Sequence, residues 1–252
     1  MHEPIYTISA RAKPEDKPVM AFLKENFDGV SLDRIDSLFG FVERCTLYGG
    51  RTFESRELSE ADVQVMYEHS IGVRLPLSNS FASMDEYKQH HGLLEKYHRA
   101  GNSIILTDNT LATWIRRDYP LYNLEASVIK NIDTYEKINK AFDLYDTVVL
   151  PMRLSIEYDF LDKLTQKPRI TLFANAGCAF NCPSKTCYPA ISRINKFNTP
   201  IDEVGNLKIG CSITTVPREI LGIQDFDIGK LFDLGFERFK LLRPIPGGIK
   251  GF

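Results

Sequence analysis

Apolar residues along this chain gather in short β-rich runs separated by longer stretches whose hydrophobic positions recur every three or four residues. The short runs predict strands over Ile5 to Ala10, Cys45 to Gly49, Gly72 to Ser78, Ser103 to Thr107, Asn123 to Val128, Thr147 to Met152, Arg169 to Ala174 and Arg238 to Leu242. Between them the helical period predicts helices over Ser59 to His69, Asp85 to Ala100, Thr110 to Asp118, Thr134 to Tyr145 and Asp227 to Leu234. Ser59 opens the first of these, with Glu60 and Asp62 in its first turn, where the helix dipole favours a carboxylate. Strands and helices alternating at this spacing imply parallel pairing, because a parallel strand needs a long crossover to return the chain.

Eight strands can close a barrel or lie in an open, doubly wound sheet. A dinucleotide-binding open sheet carries a Gly-rich turn after its first strand, whereas Ser9-Ala10-Arg11 stands here without a glycine. Strand count and a length of 252 residues therefore favour a single-domain (β/α)8 barrel spanning 1–252, with a cysteine-rich segment at 175–212. The longest irregular stretch, Phe197 to Asn206, follows the cysteines and contains Pro200 and Gly205.

Composition narrows the partners. With 43% hydrophobic and 25% charged residues the chain can bury a full core, and long disordered tracts are not expected. The 31 Lys+Arg and 33 Asp+Glu leave a formal charge of -2, too little for whole-molecule attraction to nucleic acid or anionic lipid. No apolar run reaches the roughly 18 residues that span a bilayer, and the beginning of the chain lacks the basic-then-apolar order of a signal peptide. These features predict a cytoplasmic protein without a membrane span.

In a reducing compartment an odd count of five cysteines argues against a disulfide framework. Four of them, Cys178, Cys182, Cys187 and Cys211, fall within one 34-residue window that begins where the seventh predicted strand ends. Thiolates select zinc, copper(I) or iron–sulfur centres, and four complete the coordination of either a tetrahedral zinc or a [4Fe–4S] cluster. The C-x3-C-x4-C spacing lacks the paired C-x2-C knuckles of structural zinc sites and suits the larger cluster, while the ligand count leaves zinc open. Gly177 and Pro183 fit a chain that wraps closely around such a centre. Radical S-adenosylmethionine sites space their three cysteines C-x3-C-x2-C and leave one iron open; the wider second interval and the fourth cysteine here point to a fully ligated cluster with a redox or structural role. Cys45, alone in a predicted strand, reads as a buried core thiol.

The stretch Leu172 to Cys187, LFANAGCAFNCPSKTC, the later Cys211, the stretch Asp227 to Lys240 and Tyr48-Gly49-Gly50 resemble peptidase family U-thirty-two (U32). The likeness is strongest to its short, barrel-only members, which include the ubiquinone-biosynthesis proteins UbiU and UbiV. That resemblance implies a barrel carrying a [4Fe–4S] cluster on Cys178, Cys182, Cys187 and Cys211. It also implies a part in oxygen-independent hydroxylation of a small molecule or an RNA base, with prephenate implicated as oxygen donor. Other members are named collagenase-like peptidases. Ala176 stands where the family pattern has Glu, and the longer cysteine signature and extra C-terminal domain of the peptidase-type members are missing, which argues against proteolysis.

In a (β/α)8 barrel the reactive groups lie at the C-terminal ends of the strands, which singles out Arg11, Tyr48, Arg51, Asn79, Asp108, Asn109, Arg153 and Asn175. Asp108, Glu125 and Asn175 are candidates for catalysis; helix capping by Asp108 and an ion pair within the barrel for Glu125 are the structural alternatives. Arg51 and Arg153 are candidates for gripping a carboxylated small molecule, or else form surface salt bridges. His91, Glu95 and His98 share one face of a predicted helix that lies outside the barrel, so solvation is favoured over metal binding. Trp114, Phe22, Phe27, Phe142 and Tyr145 read as core, and the cations Arg238, Lys240, Arg243 and Lys250 form a modest basic stretch that would be the contact with RNA. A non-catalytic scaffold with a structural zinc or cluster, working with a protein partner subunit, is the alternative from a different class.

Overall fold

The computed structural model describes residues 3–11, 13–175, 177, 180, 187–197 and 225–242. Its centre is a closed barrel of strands in the order β1 to β8, every neighbouring pair parallel and β8 closing on β1. The strands are β1 (Ile5–Ser9), β2 (Ile35–Phe39), β3 (Gly72–Leu75), β4 (Ser103–Leu106), β5 (Asn123–Ala126), β6 (Thr147–Val149), β7 (Ile170–Phe173) and β8 (Arg238–Leu241). Helices α1 (Val19–Asn26), α2 (Glu60–Glu68), α3 (Met84–Gln89), α4 (His91–Lys96), α5 (Asn109–Asp118), α6 (Tyr135–Ala141), α7 (Tyr158–Asp162), α8 (Cys187–Phe197) and α9 (Ile228–Asp233) follow the strands. Among the described residues no helix is long and apolar enough to cross a membrane.

The strand period of two sorts the side chains into a dry outer face and an interior in which polar residues stand beside Phe39, Ile105, Val149 and Phe173. Ile8, Leu38, Val73, Ile104, Leu124, Val148, Leu172 and Phe239, all fully buried, belong to the core that also takes in apolar residues of the helices. The alternate positions Thr7, Ser37, Arg74, Ser103, Glu125, Thr147, Thr171 and Lys240 are buried too, yet polar. Arg74 on β3 and Lys240 on β8 both reach Glu125 on β5, contacts between non-adjacent strands that only the barrel interior permits. Register between β1 and β2 skips one residue, pairing Tyr6 with Ile35 and Thr7 with Ser37, so Asp36 is bulged. Its carboxylate accepts from Arg74 Nη2 at 2.9 Å.

Seven of the predicted strands coincide with observed ones; the second does not. β2 lies at Ile35–Phe39, and Cys45 to Gly49 is a buried loop beyond the end of the barrel. That loop runs beside the chain leaving β3, with the Asn79 N–H on Leu47 O at 3.0 Å and the Gly49 N–H on Pro76 O at 3.3 Å, so it has a strand's burial without a place in the barrel. Asp36 and Ser37 hide the true strand because an inward polar residue in this barrel looks like a loop residue in the sequence. The predicted helix Asp85 to Ala100 divides at His90, whose ring is drawn inward to accept the Thr46 N–H at 3.1 Å, giving α3 and α4. His98 therefore falls beyond α4, where its ring accepts the Leu121 N–H at 3.0 Å, and the shared helical face with His91 and Glu95 is broken. α1, α7 and α8 are additional to the predicted helices, and Phe197 ends α8, while the rest of the predicted irregular stretch lies outside the described residues.

Candidate functional site

The helix that follows β7 is displaced from the usual crossover position. α9 occupies that place before β8, while α8 is anchored on the loops after β2 and β3, and β3 lies opposite β7 in the ring. Its apolar residues Ala190, Ile191 and Ile194 are buried, and so are Ser192 and Asn195. Asn195 donates from Nδ2 to Tyr48 O at 3.1 Å and Arg51 O at 2.9 Å, while its Oδ1 accepts the Phe53 N–H at 2.8 Å. Asn79, fully buried in the loop after β3, donates to Thr46 O and to Ser192 O, each at 2.8 Å, and its Oδ1 accepts the Phe81 N–H at 2.8 Å. The Ser80 N–H reaches Ser192 Oγ at 3.2 Å, Arg44 Nη2 the Asn195 carbonyl at 2.9 Å, and Lys196 Nζ both Phe81 O at 2.7 Å and Glu86 Oε2 at 2.8 Å.

Cys187 is the first residue of this eleven-residue helix and is half-buried. A thiolate there meets the positive end of the helix dipole, and Pro189 in the first turn costs no hydrogen bond because its N–H would have no intrahelical partner. Cys178, Cys182 and Cys211 lie outside the described residues, and among the described residues no three His, Cys, Asp or Glu side chains cluster as a metal site would require. By donor chemistry four thiols would suit an iron–sulfur cluster or zinc, and Cys187 is the one of these four cysteines that lies among the described residues. Cys45 differs sharply: it is fully buried, and burial pushes its thiol up to about 12, so it is an inert core group, although in a loop and not the predicted strand.

The other predicted residues are held apart from one another by local work. Asp108 caps α5, its Oδ1 accepting the Leu111 N–H at 2.8 Å. Glu125 is fully buried between Arg74 and Lys240, whose Nζ stands 3.3 Å from Oε1. Burial holds the Lys240 amine below the ordinary lysine range; Glu125 opposes this and Arg74 adds to it. Asn175, also buried, ties the ends of β7 and β8 together by accepting the Leu242 N–H at 2.9 Å and bridges to Asp225. Arg51 pairs with Glu57 and lies over the Phe41 ring at 3.9 Å, which fastens the loop after β2. Arg153 forms a surface pair with Asp133 at 2.6 Å.

The predicted basic stretch is divided where it is described: Lys240 points into the barrel, whereas Arg238 is partly exposed and donates to Pro168 O at 3.2 Å; Arg243 and Lys250 lie outside the described residues. Lys130, after β5, donates to Thr107 O at 2.7 Å and Asn109 Oδ1 at 2.8 Å, and burial lowers its amine. Phe22, Phe27 and Tyr145 are buried, with Trp114 and Phe142 packed against the same core. Sequence reasoning missed Ser192 and Asn195; the available signal was a polar residue at i+4 from Ile191, on the apolar stripe of an amphipathic segment.

No protein-family model matches the chain, and no curated protein matches it. Among solved structures, that of the U32 peptidase Mk0906 superposes with a TM-score of 0.62 at 14% sequence identity, over 96% of this chain and 93% of the other. The likeness is one of fold.

Proposed function

We propose that this chain is a cytoplasmic iron–sulfur protein that binds a [4Fe–4S] cluster on Cys178, Cys182, Cys187 and Cys211, and acts as an enzyme or enzyme subunit in oxygen-independent hydroxylation or a related modification. The observation that carries the reading is the cysteine set itself, C-x3-C-x4-C with a fourth cysteine downstream, one member of which heads a helix clamped to the barrel rim. A fold shared with a U32 peptidase supports it, since the cysteine stretch resembles the same family. When bound, the cluster supplies one-electron chemistry. The chain's own contribution is a rigid barrel and fixed loops at the C-terminal ends of the strands, where a carboxylated small molecule or an RNA base would bind beside a partner subunit.

Anaerobic purification with iron, sulfide and visible-absorption measurements tests this: about four irons and four sulfides per chain are expected for a [4Fe–4S] cluster. One zinc without sulfide replaces the reading with that of a scaffold pinned by a structural metal. Proteolysis is the second reading, favoured by the description of the structural neighbour as a peptidase. Cleavage of an unstructured protein by the purified chain, abolished together with its metal, would establish it.

A further inference from the structure

Apolar contact alone does not fix where a helix sits, because Ala190, Ile191 and Ile194 would accept a helix slid or turned along the same groove. A buried carboxamide does. Asn195 has two donors and one acceptor group, and the structure satisfies both functions: two loop carbonyls, Tyr48 O and Arg51 O, face the Nδ2 group, and the Phe53 N–H faces Oδ1. Moving α8 by one residue shifts the side chain by about 1.5 Å along the axis and about 100° around it, which breaks all three bonds. Asn79 repeats the arrangement from the other side, donating to Ser192 O while its own Oδ1 is held by the Phe81 N–H.

We propose that Asn195, seconded by Asn79, is the positioning residue that sets the register of α8 and thereby places the Cys187 sulfur within its ligand set. The cluster consequence rests on the function proposed above. Cys187 and Asn195 belong to one unbroken helix, about two turns and ~12 Å apart, so a fixed Asn195 fixes the Cys187 backbone. The carboxamide is specific in its role: an aspartate would set a negative oxygen against the Tyr48 and Arg51 carbonyls, and alanine would leave those carbonyls and the Phe53 N–H short of a partner. Arg44 and Lys196 still hold the helix through bonds that do not involve the Asn195 side chain, so such variants keep α8 while loosening its register.

The test uses the full chain purified anaerobically as wild type, Asn195→Ala, Asn195→Asp and Asn102→Ala. Asn102 is an equally buried amide at the opposite end of the barrel, bonded to the Val73 N–H at 2.8 Å, Tyr67 Oη at 2.7 Å and Tyr97 O at 2.8 Å. Iron withdrawal by a chelator, followed in the visible spectrum, is expected to be on the order of tenfold faster in Asn195→Ala than in wild type, and faster again in Asn195→Asp. Asn102→Ala is expected to lower Tm and leave that rate unchanged. Equal rates in wild type and Asn195→Ala, or the same acceleration in both alanine variants, overturn the proposal.

A second arm needs no metal. Alkylation of Cys187 by iodoacetamide in the metal-free chain, read by the mass of its peptide, is expected to rise several-fold in Asn195→Ala, with buried Cys45 as the unreactive internal thiol. Unchanged alkylation overturns the positioning role. If wild type holds neither iron nor sulfide while alkylation rises as expected, the cluster reading falls and the role of Asn195 in placing Cys187 stands.

Discussion

Single carboxylates do much of the fastening in this protein, and the sequence announces some of them. Ser59 and Asp62 form the capping box that opens α2, as the S-x-x-D spacing suggests. What the spacing could not reveal is that Asp62 also accepts the Val19 N–H at 2.8 Å and pairs with buried Lys13 at 2.9 Å, because those partners lie far away in the chain. Ser59→Ala is expected to cost about 1 kcal/mol. Asp62→Ala should cost about 3–5 kcal/mol, since it strands a buried ammonium, and urea unfolding of the two variants checks the order.

Glu86 carries a pH dependence. Burial pulls its carboxyl up, but Lys196, Ser83 and Thr46 hold it below the usual carboxylate value on balance. A carboxyl depressed in the folded state stabilises fully above its unfolded value, about 4.3, and loses that contribution as pH falls through the lower folded value. The stability gap between wild type and Glu86→Gln should therefore be about 1–2 kcal/mol at pH 7 and shrink below about pH 4. A gap that stays constant down to pH 3 would contradict the assignment.

At the scale of elements, the misplaced second strand is instructive. Hydrophobic patterning reports burial, and Cys45, Leu47 and Tyr48 are fully buried; it does not report which neighbour supplies the hydrogen bonds. The loop that carries them is pressed against the chain leaving β3, and Gly49 is the point of closest approach: a Cβ there would collide with the Ser78 carbonyl and the Asn79 backbone nitrogen. Gly49→Ala is thus expected to destabilise by about 1–3 kcal/mol and, because it displaces Asn79 and the Tyr48 carbonyl, to loosen α8 as well. Ordinary hydrogen-exchange protection across Ala190 to Asn195 in that variant would show the two elements to be uncoupled. α8 is absent from the predicted helices because its apolar stripe, Ala190, Ile191 and Ile194, is short and shares its buried face with the polar residues Ser192 and Asn195.

For the whole molecule, alternation of strands and helices was enough to suggest a closed barrel, and the ring of parallel strands agrees. The interior was legible only at Glu125, for which an ion pair within the barrel was one expectation; its partners, inward-facing Arg74 and Lys240, look like solvent-facing residues until the strands are known to close around them. These three, with Asp36, link β2, β3, β5 and β8 through the middle of the barrel. Removing one member leaves the others charged and desolvated, so Glu125→Leu should cost about 3–5 kcal/mol. Replacing all three by apolar residues, Arg74→Met with Glu125→Leu and Lys240→Met, removes the desolvation cost together with the attraction. Comparable buried networks lose nothing or gain about 1–4 kcal/mol on that exchange. Asp36, at the half-exposed bulge, keeps Ser37 and solvent as partners. Urea midpoints for the single and triple variants decide the matter: a triple variant as unstable as the single one would mean that the ion pairs stabilise the closed barrel outright, and recovery in the triple would mean that they serve to hold one arrangement of the strands against others.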